Sequence, residues 1–143
     1  MTDATAAYGT LLKRGDGAVS EAFSAVAEVT KISGPKLKLD ALDVTHMEST
    51  EGWREFVGGL LEGGEVGFDV NFLPANATQN AAAGLLLDLK NRTKRNFQIV
   101  FPDTSDTTWS FTALVTGCEV DASVEDKLSA SLTLQITGKP TLA

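Results

Sequence analysis

Between Glu65 and Leu73 polar and apolar residues alternate without a break. Val66, Phe68, Val70 and Phe72 fall on one face and Glu65, Gly67, Asp69 and Asn71 on the other, the period of a half-buried β-strand. Pro74, with no N–H to give a ladder, ends it. Leu128–Thr137 repeats the pattern, with Leu128, Ala130, Leu132, Leu134 and Ile136 on one face and Ser129, Ser131, Thr133 and Gln135 on the other. Further strands are expected over 23–32, where Phe23, Ala25, Ala27 and Val29 alternate with Ser24, Val26, Glu28 and Thr30, and over 36–44, which slips out of phase near Ala41. Two more follow at 97–101 and 108–116, and Gly117 permits a kink or bulge before 118–124. Gly34-Pro35 and residues 102–106 read as turns.

One helix is expected, capped by Asn76 or Thr78 and running to about Lys90, with Ala82, Leu85, Leu86 and Leu89 as the stripe that lies on a sheet. Residues 45–64 are ambiguous. Trp53, Phe56, Val57 and Leu60 have helical spacing and Thr50 could cap a short helix, but Gly58, Gly59, Gly63 and Gly64 oppose a long one. The expectation is a long loop with one or two helical turns, and a loop of that length is usually functional. Residues 1–20, small, polar and interrupted by Gly9, Gly15 and Gly17, read as an arm that is flexible or ordered on assembly, leaving 21–143 as one domain. The class is mainly β: a β-sandwich or small barrel with one packed α-helix.

Composition narrows the function. The chain has 143 residues, a net charge of −7 and one cysteine, Cys118, which cannot form an internal disulfide. The start has no basic or apolar leader pattern, and no window approaches the roughly 20 apolar residues of a membrane span, so a soluble, cytoplasmic domain is expected. An acidic chain repels a polyanion, which disfavours tight nucleic-acid binding. His46 is the sole histidine, so a His-clustered metal site is ruled out and a catalytic triad would depend on that one residue. Cys118 has no neighbouring base and reads as a structural thiol. Gly58–Gly64 lacks the Gly-Lys-Ser/Thr ending of a phosphate loop, and Asp121 with Glu125 reads as a solvated pair. No catalytic residue, cofactor or metal is expected.

Two features remain. Trp53 and Phe56 sit in the ambiguous segment, either folded back on their own core or serving as interface anchors, the role in which large aromatics concentrate. Charge is also segregated. Glu48, Glu51, Glu55, Glu62 and Glu65 face only Arg54 in that region, whereas Lys90, Arg92, Lys94 and Arg95 form a run without an acid. Such a chain suits stacking on a copy of itself. Trp53, Phe56, Val57, Leu60, Glu51 and Glu55 are then expected on one side of the contact and the basic run on the other.

The motifs Ile32-Ser-Gly-Pro35, Asp43-Val-Thr-His-Met47, Gly52-Trp-Arg-Glu-Phe56, Phe68-Asp-Val-Asn-Phe72, Phe97-Gln-Ile-Val-Phe-Pro102 and Leu132-Thr-Leu-Gln-Ile-Thr-Gly138 occur in this order. Over about 19–140 the chain resembles the major tail tube proteins of long, flexible-tailed bacteriophages of the lambda type. The resemblance implies a β-sandwich with one flanking helix, and hexameric rings stacked head to tail into the tube through which DNA leaves. It also implies a place in the virion tail after assembly in the host cytoplasm, and partners in the tape measure, tail terminator and baseplate or distal tail proteins. The C-terminal immunoglobulin-like domain of some members is expected to be missing. Ser129, Ser131, Thr133 and Gln135 are the expected lumen wall. The alternative is a type VI secretion-like ring protein that carries effectors.

Overall fold

The computed structural model describes residues 2 and 4–143. Nine strands and one helix follow in order: β1 (Leu11–Gly15), β2 (Phe23–Ala25), β3 (Val29–Ser33), β4 (Lys38–Asp43), β5 (Phe56–Glu62), β6 (Glu65–Asn71), α1 (Leu85–Asn91), β7 (Lys94–Val100), β8 (Thr108–Asp121) and β9 (Ser129–Leu142). Seven form one antiparallel sheet in the order β2-β1-β7-β8-β9-β6-β3, and β4 pairs with β5 alone. β2 and β3 lie at opposite edges of the large sheet, yet only residues 26–28 separate them. Extended chain spans at most roughly 3.3–3.6 Å per residue, so the edges must approach within about 14 Å and the sheet must roll over on itself. The Val26 amide donates to the Leu12 carbonyl at 2.8 Å, carrying the β1–β2 pairing one residue further towards β3.

The interior of the roll is the core. Val66, Phe68 and Val70 of β6 face Ala130, Leu132 and Leu134 of β9, and Phe97 of β7 stacks on Phe111 of β8 with ring centroids 6.0 Å apart. The period-two phase of both expected strands therefore holds. β9 runs further than expected, to Leu142, and Leu128 lies just outside it, exposed. Gly117 marks one of two register irregularities between β8 and β9, and β4 slips between Leu39 and Ala41.

Four expectations are corrected. Residues 11–15 are not part of a detached arm: β1 pairs with both β7 and β2, and Leu12 is 1% exposed. Met1 and Asp3 of that expected arm lie outside the described residues. The single strand over 23–32 is two, broken at Glu28, which adopts φ 51°; Val26, assigned to the polar set, is buried.

The helix begins at Leu85 rather than near Asn76, which caps only a short run of turns. Asn76 Oδ1 accepts from the Thr78 amide and hydroxyl, and Thr78 Oγ1 accepts from the Ala27 amide. Residues 56–62 form β5 rather than loop, and the one helical turn of the 45–64 segment is a 3-10 turn at Thr50–Gly52. Two adjacent glycines, Gly58 and Gly59, weaken a helix by about 1 kcal/mol each, while β4 offers a ladder broken only by the slip between Leu39 and Ala41.

The segment between β6 and α1 is held by one buried side chain. Gln79 accepts from the Leu73 amide at 2.9 Å and donates to the carbonyls of Ala27, at 2.8 Å, and Asn71, at 3.2 Å. Gln79→Ala leaves all three without that partner and should lower the unfolding free energy by about 1–3 kcal/mol. Urea denaturation reads this directly, and an unchanged midpoint would mean that other contacts hold the segment.

Candidate assembly surfaces

β4 and β5 continue the β3–β6 pair beyond the body, across Gly34–Leu37 on one strand and Gly63–Gly64 on the other. The result is a two-stranded arm. Every residue of β4 and all of β5 except Gly59 are exposed. Leu39 pairs with Leu61 and Leu42 with Val57 across the ladder, giving apolar positions that no part of the subunit covers. Leu60 and Leu61 are each 81% exposed, Trp53 72% and Phe56 55%. The expected anchors Trp53, Phe56, Val57 and Leu60 are thus brought together on the arm rather than folded onto the core. The periodicity hid Leu37, Leu39, Leu42 and Leu61: clean alternation in β4 implies burial of one face, and that face is bare.

The tip of the arm folds on itself. The Val44 amide donates to the Glu55 carbonyl at 2.9 Å, the Glu55 amide to Thr45 Oγ1 at 2.8 Å, and the His46 amide to Ser49 Oγ at 3.0 Å. Ser49 Oγ donates to the Glu55 carboxylate, with His46 Nδ1 at 3.4 Å from the same oxygen. Ser49 Oγ also lies 3.2 Å from His46 Nδ1, so the three side chains together tie the loop. The Thr45 hydroxyl and amide beside Asp43 hold its carboxyl below the usual range. Between Lys38 and Glu62 the arm carries Asp40, Asp43, Glu48, Glu51, Glu55 and Glu62 against Lys38 and Arg54, so it is an acidic as well as an apolar projection. Cys118 packs against the core and burial pushes its thiol up, away from reactivity.

The basic run is divided. Lys90, Arg92 and Lys94 are exposed, but Arg95 is committed within the subunit. Asp88 of α1 is fully buried between Arg14 of β1 and Arg95 of β7: Arg14 Nε and Nη2 reach its two oxygens at 2.5 and 2.9 Å, and Arg95 Nε reaches Oδ1 at 3.0 Å. Arg95 also donates to the Asp16 carbonyl at 2.7 Å.

On the outer face of the roll Ser129, Ser131, Thr133 and Gln135 stand together on β9, as the alternation implied. The register adds what one strand could not reveal. Ser131 lies between Asp69 of β6 and Glu119 of β8, Ser129 between Asn71 and Asp121, and Thr133 between Gly67 and Gly117. Ser131 Oγ donates to Asp69 Oδ1 at 2.8 Å. Small hydroxyls flanked by carboxylates make this a smooth, negatively charged wall.

Residues 9–143 match the family described as lambda phage tail tube protein, TTP. The chain belongs to this family. No curated protein matches the sequence. Among solved structures the tail tube fold recurs in the tail of an empty gene transfer agent particle with C6 symmetry, 22% identical, TM-score 0.72, covering 93% of this chain and 95% of that one. It recurs in the SPP1 tail tube, 14% identical, TM-score 0.69, over 93% of this chain and 75% of that one. A chain from the sheath/tube terminator of an extracellular contractile injection system is 13% identical, TM-score 0.71, over 99% and 98%. At such identities the likeness is one of fold. The expected mainly β architecture with one helix, and the tail tube family itself, are therefore borne out.

Proposed function

We propose that this tail tube subunit forms hexameric rings that stack head to tail into a hollow conduit for DNA in a phage tail. The observation that carries the reading is the bare arm. Contiguous exposed apolar surface marks an interaction site, and here one projecting element bears Trp53, Phe56, Leu60 and Leu61 together. The C6 symmetry of the similar gene transfer agent tail supports rings of six. Family membership favours this over the type VI-like alternative. The role is structural, without catalysis. Its place is the virion tail, after assembly in the host cytoplasm, with the tape measure, terminator and baseplate or distal tail proteins as further partners.

The wall of Ser129, Ser131, Thr133 and Gln135, with Asp69, Glu119 and Asp121 beside it, is assigned to the lumen. Carboxylates facing a duplex repel its phosphates and keep it from sticking. Ser131→Trp should leave the fold intact, since Ser131 is exposed, while narrowing the bore and impairing DNA release. Particles assembled with the variant should eject less DNA, and normal ejection would remove this face from the lumen. Negative-stain microscopy of concentrated protein tests the whole reading: tubes are expected, and compact monomers at every concentration would overturn it.

A further inference from the structure

The proposed tube leaves open where the arm docks, and a groove at the mouth of the roll answers that. Its volume is about 830 Å³ and its floor includes Ile99, Phe101 and Trp109. Val29, Thr30, Lys31 and Ile32 all line it, although successive side chains of a strand point to opposite faces. With the register shift between Val29 and Lys31, these four residues present the outer edge of the strand to the groove. β3 is the last strand of the sheet, paired with β6 on one side, and no backbone hydrogen bond reaches its other edge among the described residues. The groove is apolar below, bounded by the chain's own residues 5–10, and offers an unpaired β-edge along its side.

The other open edge at this end has been blunted. β9 loses β6 as a neighbour beyond Gln135, but there it bulges through Gly138 and carries Lys139 and Pro140, devices that discourage strand addition. β3 has a register shift of its own between Val29 and Lys31, but no proline lies within its span. An occupant that is itself β-structure with apolar side chains satisfies both the edge and the floor. The chain carries one such element. No residue between Gly34 and Ile99 lines the groove, so a subunit's own arm lies outside it. The two stems also cross closely at the hinge, where a side chain at Gly64 would overlap the Lys36 carbonyl.

We propose that the arm of a second copy lies along the β3 edge in this groove, one arm to one groove, rather than on the basic run at 90–95. This rests on the tube reading above. The test places single cysteines in a Cys118→Ser background of the full chain and treats assembled protein with a short bis-maleimide, which tolerates a register shift of a residue or two. The pair Leu60→Cys and Lys31→Cys should give a ladder of covalent oligomers, and Leu60→Cys with Arg92→Cys should not. Ladders from the second pair alone overturn the site, as do tubes that yield no ladder from the first. Cross-links confined to single chains would mean that each arm fills its own groove, and overturn it too. A parent protein that never assembles removes the tube reading and the docking site together, an outcome distinct from tubes without the expected ladder.

Discussion

Asp88→Ala is expected to destabilise the subunit by about 3–5 kcal/mol, the range for breaking a buried ion pair by removing one partner. The carboxylate is completely buried and is the shared acceptor of Arg14 and Arg95, whose side chains are only 13% and 20% exposed. Without it two guanidinium groups face each other in the interior with no counter-charge. A domain of this size holds together by about 5–15 kcal/mol, so much of the protein should unfold at moderate urea. The triple variant Arg14→Met, Asp88→Leu, Arg95→Met removes the charges together and should be far less damaging, because a buried ion network can often be exchanged for apolar packing at little net cost. Equal damage from both variants would mean that packing, not charge, holds α1 on the sheet.

Trp53→Ala has its expected effect on assembly rather than on folding. The indole is 72% exposed and touches none of the core, so the variant should unfold like the parent yet fail to form tubes, measured by sedimentation. Leu60→Ser with Leu61→Ser should act in the same direction. Arg92→Glu should leave assembly nearly unchanged, since the proposed dock is the β3 edge and not the basic run, and an exposed ion pair contributes only about 0–1 kcal/mol. Normal tubes from Trp53→Ala would take the arm tip out of the interface.

Strands whose two faces differ were legible. In β6 and β9 the apolar set meets core and the polar set meets solvent, so periodicity alone places Val66 through Val70 and Ala130 through Ile136. Where neither face is buried within one subunit the same reasoning fails. Phe56, Val57 and Leu60 are spaced as on a helix, but they belong to a strand whose apolar positions await another chain. β1 was missed for the converse reason. Arg14 shares the inward face with Leu12 and is admitted there only because Asp88, far along the chain, neutralises it. The acidic wall needed the strand order: Glu119 and Asp121 come beside Ser131 and Ser129 through pairing across the Gly117 irregularity, which no reading of a single strand supplies.

The order in which the sheet is stitched has a consequence for synthesis. The arm is complete at Glu62, but β1 waits for β7, and β6 waits for β9, which ends at Leu142. Eighty residues therefore separate the end of the arm, Glu62, from the end of the last strand, Leu142. At about 5–20 residues per second, the ribosome carries the finished, apolar arm for roughly 4–16 s before the barrel that holds it outward can close. Neighbouring ribosomes on one message hold several such arms side by side, so the nascent chain meets its own kind before it is folded. A chaperone that shields residues 38–62 on the ribosome would guard the step at which this protein is most exposed to premature association.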